Sequence, residues 1–117
     1  MISIQEITEE IIRFRDARDW KKYHTPKNLA ISIAVELGEL FELFQWKSDE
    51  EIISLIDDLK PKLEEEVADV AIYLFLLAHE LNINLEEAIS DKIKKNEEKY
   101  PIELSKGEYR KYTNLDK

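Results

Sequence analysis

The chain has 117 residues, of which 44% are hydrophobic and 37% charged, with a net charge of −9 at pH 7. This length and hydrophobic content predict a single folded domain over residues 1–117. The acidic balance, with no basic cluster to offset it, argues against nucleic acid as a partner. The absence of cysteine excludes disulfides and thiolate chemistry. No signal-peptide pattern and no membrane-spanning apolar run are present, so we expect a cytoplasmic protein without membrane contact.

The first half of the chain predicts two helices. Apolar residues recur at helical spacing over residues 5–20, which predicts the first helix. Thr25 is a suitable N-cap and Pro26 suits the first position of a helix, so the second helix begins there and ends near residue 47.

The second half predicts one short helix, two long helices and a tail. A capping-box pattern predicts the short helix over residues 49–59, and Pro61 separates it from a third long helix over residues 62–81. A fourth long helix is predicted over residues 84–100, and residues 102–117 look irregular. Since there is no strand pattern, the sequence predicts an all-α four-helix bundle with an extra short helix between helices two and three.

The second predicted helix is apolar almost all round, yet it contains Glu36 and Glu39. Glu36 falls in the middle of an apolar stripe, where a carboxylate costs several kcal/mol unless it is paired or binds a cation. Neither Lys nor Arg occurs between residues 28 and 46. The partner of these acids is therefore either a distant basic residue or a metal ion.

The third long helix repeats this pattern with Glu66 and Asp69. Two antiparallel helices could present Glu36, Glu39, Glu66 and Asp69 to one point, and oxygen ligands of this kind suit Mg²⁺. The alternative is that the four acids are satisfied structural carboxylates, because pairs of acids at spacing three are common in so acidic a chain.

Five further residues are candidates for substrate binding. Lys92 and Asn96 lie one turn apart on the fourth long helix and could contact phosphate. The structural alternative is that the aliphatic stem of Lys92 packs along the apolar face with its charge in water, and that Asn96 is simply hydrogen-bonded within the protein. Trp20, Trp46 and Tyr73 could stack on a base, or they could be ordinary core residues.

A set of motifs lies along the chain. The second helix contributes an E-x-x-E motif at Glu36 and Glu39, and the third long helix contributes an E-x-x-D motif at Glu66 and Asp69. The other segments are Arg18-Asp19-Trp20, His24-Thr25-Pro26-Lys27-Asn28-Leu29, Phe44-Gln45-Trp46, Ile72-Tyr73-Leu74, Lys99-Tyr100-Pro101 and Arg110-Lys111-Tyr112-Thr113. Together these motifs resemble the MazG-like nucleotide pyrophosphohydrolases, and within them the dCTP pyrophosphatase branch. The chain departs from the dCTP branch at Ile11, where relatives often carry a His.

The resemblance implies a function and a site. It implies Mg²⁺-dependent hydrolysis of a nucleoside triphosphate to the monophosphate and pyrophosphate, by a homodimer or homotetramer. It makes Glu36, Glu39, Glu66 and Asp69 the catalytic metal ligands. It also implies that Lys92 and Asn96 contact the phosphates or sugar, while the three aromatic residues Trp20, Trp46 and Tyr73 shape the base pocket.

Two other functions stay open from the residues alone. The first is a non-catalytic helical module whose apolar faces serve self-association or interaction with a partner. The second is a di-iron bundle, which is disfavoured because it needs Glu-x-x-His pairs and His79 has a leucine three residues before it.

Overall fold

The computed structural model describes residues 1–107, and the elements within that range are helices and turns without a strand. The helices are α1 (Ile4–Asp16), α2 (Pro26–Glu42), α3 (Asp49–Glu80), α4 (Leu85–Lys99) and α5 (Ile102–Ser105), with one 3₁₀ turn at Lys21–Tyr23. The all-α prediction is confirmed. Residues 108–117, which include the predicted Arg110–Thr113 motif, lie outside the described residues.

Helices α1 to α4 each begin after a residue whose side chain caps the first turn. The side-chain oxygens of Ser3, Thr25, Ser48 and Asn84 each accept a hydrogen bond from the backbone N–H three residues later, at 3.0–3.2 Å. At Ser48 the bond is reciprocal, because the Glu51 carboxylate accepts the Ser48 N–H at 3.3 Å. Each cap satisfies a backbone donor that has no partner within the helix, and so fixes the first turn.

The structure differs from the prediction at Pro61. Residues 49–59 and 62–81 were predicted as separate helices, whereas α3 runs without a break for 32 residues and contains Pro61 in its interior. A proline inside a helix removes one backbone N–H donor and costs about 3 kcal/mol. The reciprocal cap at Ser48 and the packing of α3 against its neighbours outweigh that cost.

Helices α1 and α2 end a few residues earlier than predicted, and residues 102–105 form a helical turn instead of an irregular segment. After α1, Asp19 has a left-handed backbone with φ 54°, and the Trp20 N–H donates to the Arg15 carbonyl at 3.2 Å. At the end of α3, Asn82 also has φ 54°, and the Ile83 N–H donates to the Ala78 carbonyl at 2.8 Å. These are the bonds of a Schellman motif, which ends a helix sharply.

The chain divides into two compact units, Met1–Ile83 and the part from Asn84 onward. In the first unit, α2 packs along α3, and α1 also packs against α3. Leu29, Leu76 and Ala78 are its buried apolar residues. The second unit contains α4 and α5. A single domain over residues 1–117 stays a prediction. Within residues 1–107, no helix is long and apolar enough to cross a membrane.

A buried ion pair ties α1 to α3. Arg15 is only 2% exposed, and its guanidinium donates to the Glu80 carboxylate at 2.6 Å and to Asp16 at 3.1 Å. Sequence analysis did not single out Arg15. A buried guanidinium needs such partners, because an unpaired charge in the interior costs several kcal/mol.

Candidate active site

Helices α2 and α3 bring three carboxylates together. Glu36, Glu39 and Glu66 each offer an oxygen atom, and these atoms all lie within 4.8 Å of one another. Glu66 is 4% exposed, Glu36 is half-buried and Glu39 is exposed. We call these three residues the carboxylate cluster. Its burial gradient leaves one side open to a ligand.

The carboxylates act on one another. Burial raises the pKa of Glu36, and a hydrogen bond that its protonated carboxyl donates to Glu39 raises it further, as do the charges of Glu39, Asp69 and Glu66. The charge of half-buried Asp69 therefore acts on Glu36, although Asp69 lies outside the three-residue cluster. All four predicted acids are thus electrostatically coupled around Glu36.

Two buried oxygens of the cluster lack a hydrogen-bond partner among residues 1–107. Glu36 Oε2 and Glu66 Oε2 are buried, and within residues 1–107 neither receives a hydrogen bond. A buried carboxylate oxygen without a donor or a cation is unfavourable by about 1–3 kcal/mol or more. An oxygen-only donor set with these two orphaned atoms fits a hard divalent cation such as Mg²⁺. The cluster contains no histidine, which disfavours a di-iron or zinc centre.

A lysine that sequence analysis missed approaches the buried end of the cluster. Lys62 Nζ lies 3.1 Å from Glu66 Oε1 and 3.7 Å from Glu65 Oε2. The hydrogen bond to Glu66 raises the pKa of Lys62, as do the charges of Glu66 and Glu65. The available signal was its position four residues before Glu66 on one helix, a spacing that places two side chains side by side.

Tyr73, one of the predicted base-binding aromatics, lies beside the carboxylates. Its pKa is raised by burial and by the charges of Glu36, Asp69 and Glu39. The ring of His24 packs edge-on against the Tyr73 ring, with 6.3 Å between centroids. The pKa of His24 is lowered by burial and by the charge of Arg15, which the charge of Glu80 partly offsets. Burial and the Arg15 charge thus favour the neutral form of His24, whose ring packs against Tyr73.

The two tryptophans are not core residues of this chain. Trp20 packs edge-on against Phe14, with 5.8 Å between centroids, and the Arg18 guanidinium lies 5.9 Å from the Trp20 ring centroid. Trp46 is 84% exposed, in the turn after α2. Both rings therefore expose apolar surface on which a ligand could pack.

Lys92 and Asn96 belong to the second unit, where both are exposed on α4. The pKa of Lys92 is lowered mainly by the charge of Lys99, with which it also shares a hydrogen bond. The role of Lys92 and Asn96 toward a substrate stays a prediction.

Comparison with known proteins agrees with the resemblance. The MazG-like family matches residues 31–115, so the chain belongs to the MazG-like family. It is 40% identical to mouse dCTP pyrophosphatase 1 over 97% of this chain and 68% of that protein. The human dCTP pyrophosphatase 1 is 37% identical over the same shares.

A solved structure matches the fold as well. The crystal structure of a pyrophosphatase from Archaeoglobus fulgidus superposes with a TM-score of 0.79 and 49% identity, covering 83% of this chain and 91% of that one. Family and relatives together make this chain an enzyme, a nucleotide pyrophosphohydrolase. They favour catalysis over the alternative of a non-catalytic interaction module.

Proposed function

We propose that the enzyme is a Mg²⁺-dependent nucleoside triphosphate pyrophosphohydrolase that releases the nucleoside monophosphate and pyrophosphate. The carboxylate cluster carries this proposal, because it gathers three carboxylates from α2 and α3 and leaves two of their buried oxygens without a partner among residues 1–107. The net charge of −9 would otherwise repel a triphosphate.

The cluster, together with its neighbour Asp69, would hold the metal. Glu36, Glu39, Glu66 and Asp69 supply oxygen ligands alone, which favours Mg²⁺ over softer metals. When bound, a divalent cation would neutralise phosphate charge and polarise the α-phosphoryl group as a Lewis acid.

The protein side chains then have three tasks. A carboxylate of the cluster accepts a proton from the water that attacks the α-phosphorus. As the new phosphorus–oxygen bond forms, the bond to the bridging oxygen breaks and pyrophosphate departs with that oxygen. Lys92 stabilises the charge on the departing pyrophosphate, and Asn96 orients the phosphates or sugar.

The aromatic residues provide the base pocket. Tyr73 lies beside the carboxylates, and the His24 ring packs edge-on against it. Trp20 and Trp46 offer further ring surface on which a base can stack. The relatives' name makes dCTP, or a modified nucleotide, the first substrate to examine. Ile11 stands where dCTP-type relatives often carry a His, so preference for cytosine has to be measured.

We further propose that the enzyme works as a homodimer or homotetramer in the cytoplasm. On α2, Ile31, Val35 and Phe41 are each more than half exposed, and Ile53 and Val67 on α3 are as well. So much exposed apolar surface on one small unit marks an interaction surface. A second copy of the chain would cover it in a closed two-fold arrangement.

The metal-ligand assignment is tested by charge-neutral substitution. Glu39→Gln and Asp69→Asn should each reduce turnover at saturating Mg²⁺ by at least about 100-fold, the effect typical of losing a group that stabilises the transition state. Glu42→Gln, an exposed acid one turn further along α2, is the matched control and should retain wild-type turnover. Wild-type turnover in Glu39→Gln or Asp69→Asn would show that the ligands have been assigned incorrectly.

A further inference from the structure

Lys62 and a metal ion would use the same carboxylate. Glu66 is the most buried acid of the cluster, with Oε1 bonded to Lys62 Nζ at 3.1 Å and Oε2 buried without a hydrogen-bond partner. A buried carboxylate needs a counter-charge, and among the described residues Lys62 is the cation that forms an ion pair with Glu66.

A divalent metal ion and the Lys62 ammonium group would repel each other if both were bound to Glu66. A divalent ion bound by the cluster carries two positive charges, and it would sit within a few ångströms of the Lys62 ammonium group. At such separations like charges repel by an amount comparable to the strength of an ion pair. Metal binding therefore favours movement of the ammonium group away from Glu66.

Lys62 already has a second, longer ion pair, with Glu65. Glu65 Oε2 is 3.7 Å from Lys62 Nζ, and the Glu65 side chain is 72% exposed. The Lys62 side chain is itself 58% exposed, so its end can turn toward water without disturbing the core. The lysine stem has rotatable bonds that allow this change without movement of α3.

We infer that Lys62 is a built-in counter-ion that competes with the divalent metal for Glu66. Metal binding moves the ammonium end of the Lys62 side chain away from Glu66 and toward Glu65. The inference rests on the proposed function, since it takes the carboxylate cluster as the metal site. It assigns Lys62 a role in setting metal affinity, outside the reaction itself. The enzyme thereby keeps a buried acid neutralised until the metal arrives.

The first test compares Lys62→Gln with wild type by isothermal titration calorimetry with Mg²⁺ alone, at fixed ionic strength and without nucleotide. Removal of the competitor should tighten Mg²⁺ binding about three- to fivefold, in line with the strength of a partly exposed ion pair. Lys60→Gln is the matched control, because it removes the same charge from an exposed position on the same helix. The control should change the affinity by less than about twofold, since salt screens exposed charges.

A second test asks whether Lys62 pairs with Glu65 when the metal is bound. Glu65→Gln should weaken Mg²⁺ binding more in the wild-type background than in the Lys62→Gln background. Only the wild-type background has the Lys62 ammonium group, which Glu65 would bind once the metal displaces it. This double-mutant comparison isolates the coupling between Lys62 and Glu65. Equal effects in the two backgrounds would overturn the proposed transfer.

Thermal unfolding supplies an independent measurement. Without metal, Lys62→Gln should melt below Lys60→Gln, because Glu66 has lost its counter-ion. With saturating Mg²⁺ that difference should shrink, because the metal then neutralises Glu66.

The possible outcomes separate this inference from the function. If Lys62→Gln binds Mg²⁺ no more tightly than Lys60→Gln, or more weakly, the competition is refuted while the metal site stands. If the wild type takes up no Mg²⁺ without nucleotide, the competition is refuted as well. In that case, pyrophosphate release measured with and without Mg²⁺ decides separately whether the proposed function holds.

Discussion

Glu36→Gln should stabilise the metal-free protein while abolishing its activity. The substitution keeps the shape of the side chain and removes one negative charge from a site where the carboxylate oxygens lie within 4.8 Å of one another. The raised pKa of Glu36 has burial and neighbouring carboxylates as its causes, so the charged form is unfavourable in the folded protein. A neutral amide removes that penalty and can donate to an adjacent carboxylate.

The size of the effect follows from the geometry. Two unit charges about 4.8 Å apart repel by about 3.5 kcal/mol at an effective dielectric constant of about 20. Because Glu39 is exposed and screened by water, we expect about 1–2 kcal/mol of net gain. For a protein of this size that gain corresponds to a rise of about 4–8 °C in melting temperature.

The assay is thermal and urea unfolding at pH 8, in EDTA and again in millimolar Mg²⁺. In EDTA, Glu36→Gln should be more stable than wild type. In Mg²⁺ the order should reverse, because wild type gains about 2.7 kcal/mol at a hundredfold excess of metal over its Kd and the variant binds metal poorly. Glu42→Gln, which lies outside the cluster, should leave both measurements unchanged. A Glu36→Gln protein that is no more stable than wild type in EDTA would refute the idea that the carboxylates repel one another.

Three further predictions concern residues around the site. Glu80→Gln should lower the free energy of unfolding by about 2–3 kcal/mol, because Arg15, 2% exposed, then keeps Asp16 as its one ionic partner within residues 1–107. His24→Gln should flatten the pH dependence of stability at acidic pH. The folded state binds fewer protons at His24 than the unfolded state does, so stability contributed by this residue is present above pH 6.5 and is lost as the pH falls through the lowered pKa. Trp46→Ala should raise KM for the nucleotide several-fold and change the free energy of unfolding by less than about 0.5 kcal/mol, because the side chain is 84% exposed.

Each of these predictions has a control variant or an outcome that would contradict it. The control for Glu80→Gln is Glu10→Gln, which changes an exposed acid on α1 and should lower the free energy of unfolding by less than about 0.5 kcal/mol. Equal losses of stability in the two variants would show that the Arg15–Glu80 ion pair contributes little. For His24→Gln the measurement is urea unfolding at pH 5.0 and 7.5, and an unaltered pH dependence would exclude His24 as its source. For Trp46→Ala, an unchanged KM across several bases would place the ring outside the pocket.

Local signals in the sequence predicted most of the helix starts. Thr25 was recognised as an N-cap and a capping-box pattern predicted the helix that follows Ser48, and both residues accept the expected backbone hydrogen bond. Pro61 misled the prediction, since its effect on a helix depends on packing that lies far away along the chain. The end of α1 depends on a left-handed backbone at Asp19, a conformation that an aspartate adopts only in some contexts.

The carboxylates show how much of the candidate site hydrophobic periodicity in the sequence can predict. Acids inside two apolar stripes identified Glu36, Glu39 and Glu66 as residues to examine together, and the structure places oxygens of these three close to one another. Periodicity did not reveal that Asp69 lies outside this group of three, because a side chain's reach depends on its rotamer and on helix packing. The same limit applies to Arg15, whose partner Glu80 is 65 residues away in sequence.

The measurement that tests the central claim most directly is pyrophosphate release from a panel of canonical and modified nucleoside triphosphates, with Mg²⁺ and with EDTA. We predict release that requires Mg²⁺, with one monophosphate formed for each pyrophosphate, and a ranking across the panel that identifies the base. Folded, Mg²⁺-supplied enzyme that releases no pyrophosphate from any member of the panel, or release that continues undiminished in EDTA, would contradict the proposal that the carboxylate cluster is a catalytic metal site.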